Sequence, residues 1–183
     1  MLKVDPVLLA TARASHRFTQ GLVLWGLALA SAGLLAGAFA FEHIGGLAPC
    51  PLCLLQRWAH AAALVLALIG AAGPALGLVG ADWRPVCLVT CAFALLAGVL
   101  YAGTHVGVEE GWWSAPTGCA SGGPLGGLTI ESIATAFEGP RVVPCDAKPW
   151  TLFGISMAGY NFLLSMGLAA IALLGLTRPE GKA

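Results

Sequence analysis

The chain has 183 residues, of which 58% are hydrophobic and only 10% are charged, and its mean hydropathy is +0.84. Soluble domains carry about 25% charged residues, so this composition predicts an integral membrane protein. Nine basic residues balance nine acidic residues and are spread along the chain. This distribution excludes the basic surface that nucleic-acid binding requires.

Four apolar segments are each long enough to cross a bilayer of about 30 Å, which takes about 20 helical residues. Glycine and proline mark their ends. The segments span about residues 21–41, 54–72, 86–104 and 153–176. Because no internal repeat divides the chain, residues 1–183 are predicted to form one all-α domain, a polytopic membrane four-helix bundle.

The first apolar segment has two further features. Gly33 and Gly37 lie four residues apart, a spacing that predicts close approach to a neighbouring helix. The run Ala38-Phe39-Ala40 resembles a signal-peptidase site behind the basic residues Arg13 and Arg17, so a cleaved signal peptide is an alternative. The segment is longer than the usual signal-peptide core, and we therefore favour a retained helix.

The basic residues predict which side of the membrane each loop faces. Most of them lie at the two termini and before the third segment, which places these parts in the cytoplasm. They are Lys3, Arg13, Arg17, Arg84, Arg178 and Lys182. Loops 42–53 and 105–152 then share the extracytoplasmic face, and four cysteines lie in these two loops. Disulfides form and persist in such a compartment.

The run Cys50-Pro51-Leu52-Cys53 stands directly before the second apolar segment. Backbone N–H groups and the positive end of the dipole at a helix start stabilise a thiolate, which is the nucleophilic form of cysteine. The pair therefore indicates either dithiol redox chemistry or metal binding at the edge of a membrane. The spacing alone leaves both open.

The long loop contains a second helical pattern. Ile130, Ile133, Ala134 and Phe137 follow the i, i+3, i+4, i+7 spacing of a short amphipathic helix, which is expected to lie on the membrane surface. Three tryptophans near the loop ends are expected to anchor it at the level of the lipid headgroups. They are Trp112, Trp113 and Trp150.

Cys119 and Cys145 bracket this predicted helix. A bond between them would pin the loop, and its release would let the loop move. On chemistry alone, a purely structural disulfide and an exchanging pair are equally acceptable.

Taken together, these features resemble the bacterial disulfide-bond formation protein B family, DsbB. The resemblance covers about residues 21–176 and rests on the four helices, on the run from Pro49 through Cys50 and Cys53 to Arg57, and on Cys145-Asp146 leading into Trp150-Thr151-Leu152-Phe153-Gly154. In that family the protein reoxidises a soluble periplasmic thiol oxidase, DsbA, and passes the electrons to a membrane quinone. The resemblance implies a bacterial inner-membrane location, a DsbA-like partner, and ubiquinone or menaquinone as acceptor.

By position, the resemblance also implies an order of thiol exchange. The reduced partner attacks Cys119, the freed Cys145 attacks Cys50, and Cys53 leaves as a thiolate. Each step requires only an attacking thiolate, an accessible sulfur and a leaving group of low pKa.

Two further residues complete the catalytic and quinone-binding set implied by the resemblance. Arg57 lies one helical turn after Cys53, where it would stabilise the Cys53 thiolate and negative charge on a reduced quinone oxygen. The alternative is an arginine that reaches to the lipid headgroups. His105 matches a family histidine near the quinone and would deliver protons or orient the ring. Cys53, Arg57 and His105 are thus the expected quinone contacts, and no metal is assigned.

Four other polar or sulfur residues are given ordinary structural roles. Asn161 is expected to bond to a neighbouring helix, with the quinone cavity as the alternative. His60 carries no signal beyond its position. Cys87 and Cys91 are expected to be buried small hydrophobic residues, because an i, i+4 pair in a helix suits a disulfide poorly.

Two other functions remain as alternatives. A vitamin K epoxide reductase-like enzyme also couples membrane cysteines to a quinone, but its loop cysteines precede the CxxC pair, whereas here they follow it. A non-enzymatic zinc-binding or structural protein would use the four loop cysteines as ligands or staples, although zinc sites favour two short spacings. Thiol states that change with quinone would separate the oxidase from the non-enzymatic alternatives.

Overall fold

The computed structural model describes residues 6–116, 119 and 144–177. Four long helices dominate it: α1 (Pro6–His43), α2 (Pro51–Ala72), α3 (Arg84–Glu109) and α4 (Met157–Leu174). A short 3₁₀ helix, Ala81–Trp83, precedes α3. The predicted all-α membrane bundle is confirmed. The predicted amphipathic helix with Ile130, Ile133, Ala134 and Phe137 lies outside the described residues.

The helices pack mainly in chain order, with α2 against α1 and α3, and α4 against α3. Their common core consists largely of alanines and leucines, among them Ala63, Leu88, Leu95 and Ala169. Small residues allow close backbone approach, which matters because lipid provides no hydrophobic force between helices.

The outer surface of the bundle is apolar. Phe18, Trp58, Phe93 and Leu100 are each about 70% exposed, an arrangement that would be unfavourable in water but suits contact with lipid. All four long helices are long and apolar enough to cross a membrane.

The fourth helix begins later than the predicted start at residue 153. Thr151–Leu152 and Ile155–Ser156 form a two-stranded antiparallel hairpin, and the turn between them has positive φ at Phe153 and Gly154. The Ser156 side chain then caps α4 by accepting a hydrogen bond from the Gly159 N–H. Residues 153–156, which the sequence pattern assigned to the helix, therefore belong to the hairpin.

The expected close helix contact at Gly33 and Gly37 is wrong. A Cβ atom built at either position would meet nothing within 4 Å, because both residues face a cavity. The close approach occurs at Gly70 instead, where a Cβ would lie 2.7 Å from Cys87 Cβ and 2.8 Å from Leu24 Cδ1.

The end of the bundle opposite the CxxC pair carries a charged cluster. Arg17 forms an ion pair with Asp82. Arg84 donates hydrogen bonds to the carbonyl oxygens of Gly70 and Arg17, at 3.3 Å and 2.6 Å. This end of the bundle is therefore held together by charged contacts between α1, the segment before α3 and the start of α3.

Candidate active site

Cys50 and Cys53 occupy the first turn of α2. Cys50 caps the helix, and its sulfur accepts a hydrogen bond from the Cys53 backbone N–H at 3.2 Å. Pro51 takes the first helical position, where its fixed φ suits the helix and its missing N–H costs nothing. The two sulfurs are 2.7 Å apart. The helix start thus holds the pair within bonding reach, with Cys50 buried and Cys53 partly exposed.

The surroundings of Cys50 keep its thiol protonated. The neighbouring Cys53 sulfur, together with burial, raises the pKa of Cys50 far above its ordinary value. When the pair is reduced, the first negative charge therefore forms on the other sulfur.

Cys119 and Cys145 form a disulfide, with a Cα–Cα distance of 5.2 Å. The Cys145 N–H also donates to the Cys119 carbonyl at 3.0 Å. Both residues are buried, and they share one hydrophobic cluster with Cys50, Leu52 and Val108, against which Cys53 packs. The fold therefore brings both cysteine pairs of the predicted catalytic set into one contiguous group.

His105 lies beside the CxxC pair and links it to a shielded carboxylate. Its Nε2 atom is 3.6 Å from Cys50 Sγ and 3.7 Å from a Glu109 carboxylate oxygen. The Glu109 side chain is only 3% exposed, and it accepts a hydrogen bond from the Ser156 hydroxyl. Glu109 was given no role from the sequence, although its i, i+4 spacing from His105 was a usable signal.

A chain of side-chain hydrogen bonds extends from His105 into the bundle. The Gln56 amide nitrogen is 3.0 Å from His105 Nδ1, and the Gln56 oxygen accepts from Asn161 at 2.6 Å. The Asn161 oxygen lies 2.8 Å from His60 Nε2. Asn161 therefore bonds to a neighbouring helix, as expected, and it also lines the cavity. Neither Gln56 nor His60 was given a role from the sequence.

Arg57 is paired with an acid that the sequence analysis did not connect to it. Its guanidinium forms an ion pair with Glu42 and donates to the Ala38 carbonyl at 3.1 Å. It also lies 5.0 Å from the centroid of the Phe39 ring. These three contacts hold the guanidinium against α1, and Glu42 balances its charge.

A cavity of about 360 Å³ lies between α1, α2 and α4, beside the cysteine pair. Cys53, Arg57, His105 and Asn161 contribute polar or sulfur groups to its lining, and most of the remaining lining residues are apolar. The expected quinone contacts therefore share one cavity.

Trp150 contributes to the wall of this cavity. Its ring packs against Phe41 and Tyr160, with centroid distances of 5.2 Å and 6.1 Å. Trp113 covers Gly107 and donates to the Thr104 carbonyl at 3.0 Å. Both tryptophans thus make specific contacts with the bundle in addition to the predicted anchoring.

Cys87 and Cys91 lie in the apolar core, as predicted. Cys91 is fully buried and donates to the Ala63 carbonyl at 3.5 Å. Within the described part of the chain, no histidine or carboxylate groups with them as a potential metal site.

Comparison with known proteins identifies the family. A family model described as "Disulfide bond formation protein DsbB" matches residues 20–175. Three relatives with the name "Disulfide bond formation protein B" illustrate the similarity. The protein from Aromatoleum aromaticum is 28% identical, over 91% of this chain and 98% of its own length. The protein from Verminephrobacter eiseniae is 32% identical, over 85% and 86%. The protein from Xanthomonas campestris is 35% identical, over 79% and 83%.

The matched region contains all four long helices except the start of α1, together with the candidate site. The chain therefore belongs to the DsbB family of membrane disulfide-bond formation proteins, and it is a multi-pass membrane oxidoreductase.

Proposed function

We propose that this chain is a thiol:quinone oxidoreductase that reoxidises a DsbA-like dithiol protein. The observation that carries the proposal is the single buried cluster that contains Cys50, Cys119 and Cys145, with Cys53 packed against it. Two sulfur pairs that share one cluster, next to a cavity, have a short path for exchange. Family membership supports this function over a vitamin K epoxide reductase-like enzyme or a zinc-binding scaffold.

The proposed relay begins with both cysteine pairs oxidised. A thiolate of the partner attacks Cys119, which forms a mixed disulfide and releases Cys145 as a thiolate. Cys145 attacks Cys50, which forms a bond between the two pairs and releases Cys53. The partner leaves as a disulfide when its second thiol attacks the mixed disulfide and frees Cys119. Attack of Cys119 on Cys145 then restores their bond and leaves Cys50 and Cys53 as a dithiol holding two electrons.

The cavity has properties that suit a quinone headgroup. Its volume of about 360 Å³ is within the range of about 300–1,000 Å³ that is typical of small-molecule sites. Its walls are mainly apolar, and Gly33 and Gly37 contribute no side chains to the wall formed by α1. Ubiquinone or menaquinone bound there would accept two electrons and two protons from the protein.

Arg57 and His105 are the proposed polar contacts of that acceptor. The guanidinium is held in place by Glu42 and Ala38, so little rotamer freedom is lost when it donates a hydrogen bond. The imidazole is held through Nδ1 by Gln56. Fixed donors of this kind stabilise developing negative charge more effectively than mobile ones.

Glu109 is the proposed proton-transfer partner of His105. Its carboxylate is shielded, lines the cavity and lies 3.7 Å from His105 Nε2. When His105 Nε2 gives its proton to the acceptor in the cavity, a proton held on the Glu109 carboxyl group can replace it. General acids positioned in this way typically accelerate a reaction by about 10²–10⁴-fold.

The proposed location is the bacterial inner membrane, with both termini in the cytoplasm and the redox loops in the periplasm. The charge distribution supports this orientation, because Arg17 and Arg84 lie at the end opposite the CxxC pair. A periplasmic site would also give a soluble dithiol partner access to Cys119.

The experiment that tests this function follows the thiol state of each cysteine in membranes. Reduced DsbA-like protein is added, thiols are trapped by alkylation, and the trapping is done with and without added quinone. With the reduced partner in excess, both cysteine pairs should become dithiols in the absence of quinone, and the wild-type chain should return both pairs to disulfides only when quinone is present. Cys53→Ser should block that return, whereas the matched core variant Cys91→Ala should not.

Reoxidation that is indifferent to both quinone and Cys53→Ser would contradict the relay. A thiol-reactive probe that labels the CxxC pair only from the cytoplasmic side would contradict the orientation.

A further inference from the structure

We propose that the reduced CxxC pair, together with His105, is a binding site for a thiophilic divalent cation of the Zn²⁺ class. Cys50, Cys53 and His105 form a group whose ligand atoms all lie within 4.8 Å of one another. Among the residues that the structure describes, it is the one such group of three. The binding itself does not depend on the proposed function, but its inhibitory consequence does.

The distances suit a tetrahedral ion. With Zn–S of about 2.3 Å and Zn–N of about 2.1 Å, tetrahedral ligands stand about 3.6 Å apart for N···S and about 3.8 Å apart for S···S. Cys50 Sγ and His105 Nε2 are already 3.6 Å apart. The two sulfurs, now at 2.7 Å, must separate by about 1 Å. The partly exposed Cys53 side chain has room on its cavity side for this movement.

The surroundings supply the remaining requirements of a zinc site. Gln56 lies 3.0 Å from His105 Nδ1. In the metal-bound form both the Gln56 and the Asn161 amides are turned by about 180°, so that the Gln56 oxygen accepts the Nδ1 proton, the Gln56 nitrogen donates to the Asn161 oxygen, and Nε2 is free for the ion. Glu109, 3.7 Å from Nε2, is the nearest carboxylate for the fourth position.

The charge balance favours the ion over an unpaired thiolate. Binding of the cation to the two thiols releases two protons and leaves no net charge on the ion with its two thiolates, and Glu109 as the fourth ligand adds one negative charge. The α2 amides at the same helix start further stabilise negative sulfur. The two thiolates therefore compensate the charge of the buried ion, and the amides of the helix start face the single negative charge that remains.

The site exists only when the CxxC pair is reduced, because a disulfide offers no thiolate ligands. The cation would therefore capture the enzyme after it has received electrons and before it passes them on. On the proposed function, this predicts reversible inhibition by micromolar zinc that a chelator relieves.

The test uses Cd²⁺ as the probe, because Cd²⁺ bound to thiolates absorbs in the ultraviolet. The full-length chain in detergent micelles carries Cys119→Ser, Cys145→Ser, Cys87→Ala and Cys91→Ala, so that the CxxC pair provides its only thiols. We expect the reduced protein to bind one equivalent of Cd²⁺ and the oxidised protein to bind none. His105→Ala should weaken binding by at least about 100-fold, since even outer-shell changes cost 10–100-fold. His43→Ala, which removes an exposed histidine, should leave it unchanged.

A second measurement needs no substitution. Zn²⁺ should protect Cys50 and Cys53 of the reduced wild-type chain from alkylation, and EDTA should remove the protection. Equal Cd²⁺ affinity in the His105→Ala and His43→Ala proteins, or alkylation that zinc does not slow, would overturn the proposal. Quinone-dependent activity measured in the presence of EDTA tests the proposed oxidoreductase function separately. Failure of the metal site is therefore distinguishable from failure of that function.

Discussion

Two cysteine pairs lie on single helices of this bundle, and their surroundings differ completely. Cys50 and Cys53 stand at the start of α2, beside a histidine, a carboxylate and a cavity. Cys87 and Cys91 lie inside α3, among leucines and alanines. Thiol chemistry requires an ionisable, accessible sulfur with polar partners, and only the first pair has them. A short cysteine spacing therefore indicates thiol chemistry only when it coincides with a helix start and lies beside a cavity.

Replacement of each pair should give the largest difference between the two regions. The variant Cys50→Ser/Cys53→Ser should lower quinone-dependent turnover by at least about 1,000-fold, as expected when the reacting groups are lost. The turnover of the variant Cys87→Ala/Cys91→Ala should stay within about twofold of wild type, because a substitution in the apolar core changes packing and leaves the proposed reacting groups in place. Turnover is measured as the loss of quinone absorbance with a reduced dithiol protein as substrate. Comparable losses of turnover in both variants would contradict the proposed difference between the two cysteine pairs.

Substitutions of two adjacent acids test the role of the polar groups around the CxxC pair. Glu109→Gln should lower turnover by about 100-fold, because it removes the shielded carboxyl group next to His105. Glu110→Gln is the matched control, since the Glu110 side chain is 44% exposed and pairs with Lys148. Exposed pairs of this kind contribute little, so its turnover should match wild type. Turnover measured across pH should lose its dependence on an acidic group in Glu109→Gln alone. Equal effects of the two variants would remove Glu109 from the proton path.

Glycine substitutions compare space in the two regions. Gly37→Ala should place a methyl group in the cavity and raise the quinone KM by about tenfold, without loss of stability. Gly26→Ala is the control, because its Cβ also meets nothing within 4 Å but does not line the cavity.

Gly70→Ala tests the close contact beside Cys87. Its Cβ would lie 2.7 Å from Cys87 Cβ, and such overpacking costs about 1–3 kcal/mol. The unfolding midpoint in detergent should therefore fall for Gly70→Ala and stay constant for Gly37→Ala and Gly26→Ala. A lower unfolding midpoint for Gly37→Ala alone would contradict the assignment of Gly70 to a packed contact and of Gly37 to the cavity wall.

The last prediction concerns a difference in alkylation rate between the two cysteines of the CxxC pair. Cys50 is buried, and its pKa is raised by the Cys53 sulfur and by burial. A raised pKa lowers the thiolate fraction near neutral pH, so Cys50 of the reduced chain should be alkylated more slowly than Cys53. Its labelling rate should rise about tenfold per pH unit above pH 8. Peptide mass spectrometry measures both rates, and faster labelling of Cys50 at pH 8 would contradict this order.

The membrane fold was predictable from sequence because hydrophobic length is a local property. Runs of about 20 apolar residues can satisfy their backbone only as helices in a bilayer. The CxxC pair and its position at a helix start were equally visible in the sequence. The start of α4 was not, because the hairpin before Met157 depends on positive φ at Phe153 and Gly154.

The partners of the site depended on tertiary structure. The ion pair of Arg57 with Glu42 joins α2 to α1. Glu109, at the end of α3, accepts a hydrogen bond from Ser156 in the hairpin before α4. Such contacts arise from helix packing, which a single sequence does not specify. Gly33 and Gly37 illustrate the same limit, since their spacing indicated contact but the bundle turns them toward a cavity.

The sequence by itself therefore determined the membrane class, the four helices and the position of the CxxC pair at a helix start, since each follows from local composition and spacing. Only the tertiary structure decided which groups surround those sulfurs. It placed His105 beside Cys50 and Glu109 beside His105, and it left Cys87 and Cys91 in an apolar core. The physical reason is that the reactivity of a thiol depends on burial, neighbouring charge and access, and distant parts of the chain supply all three.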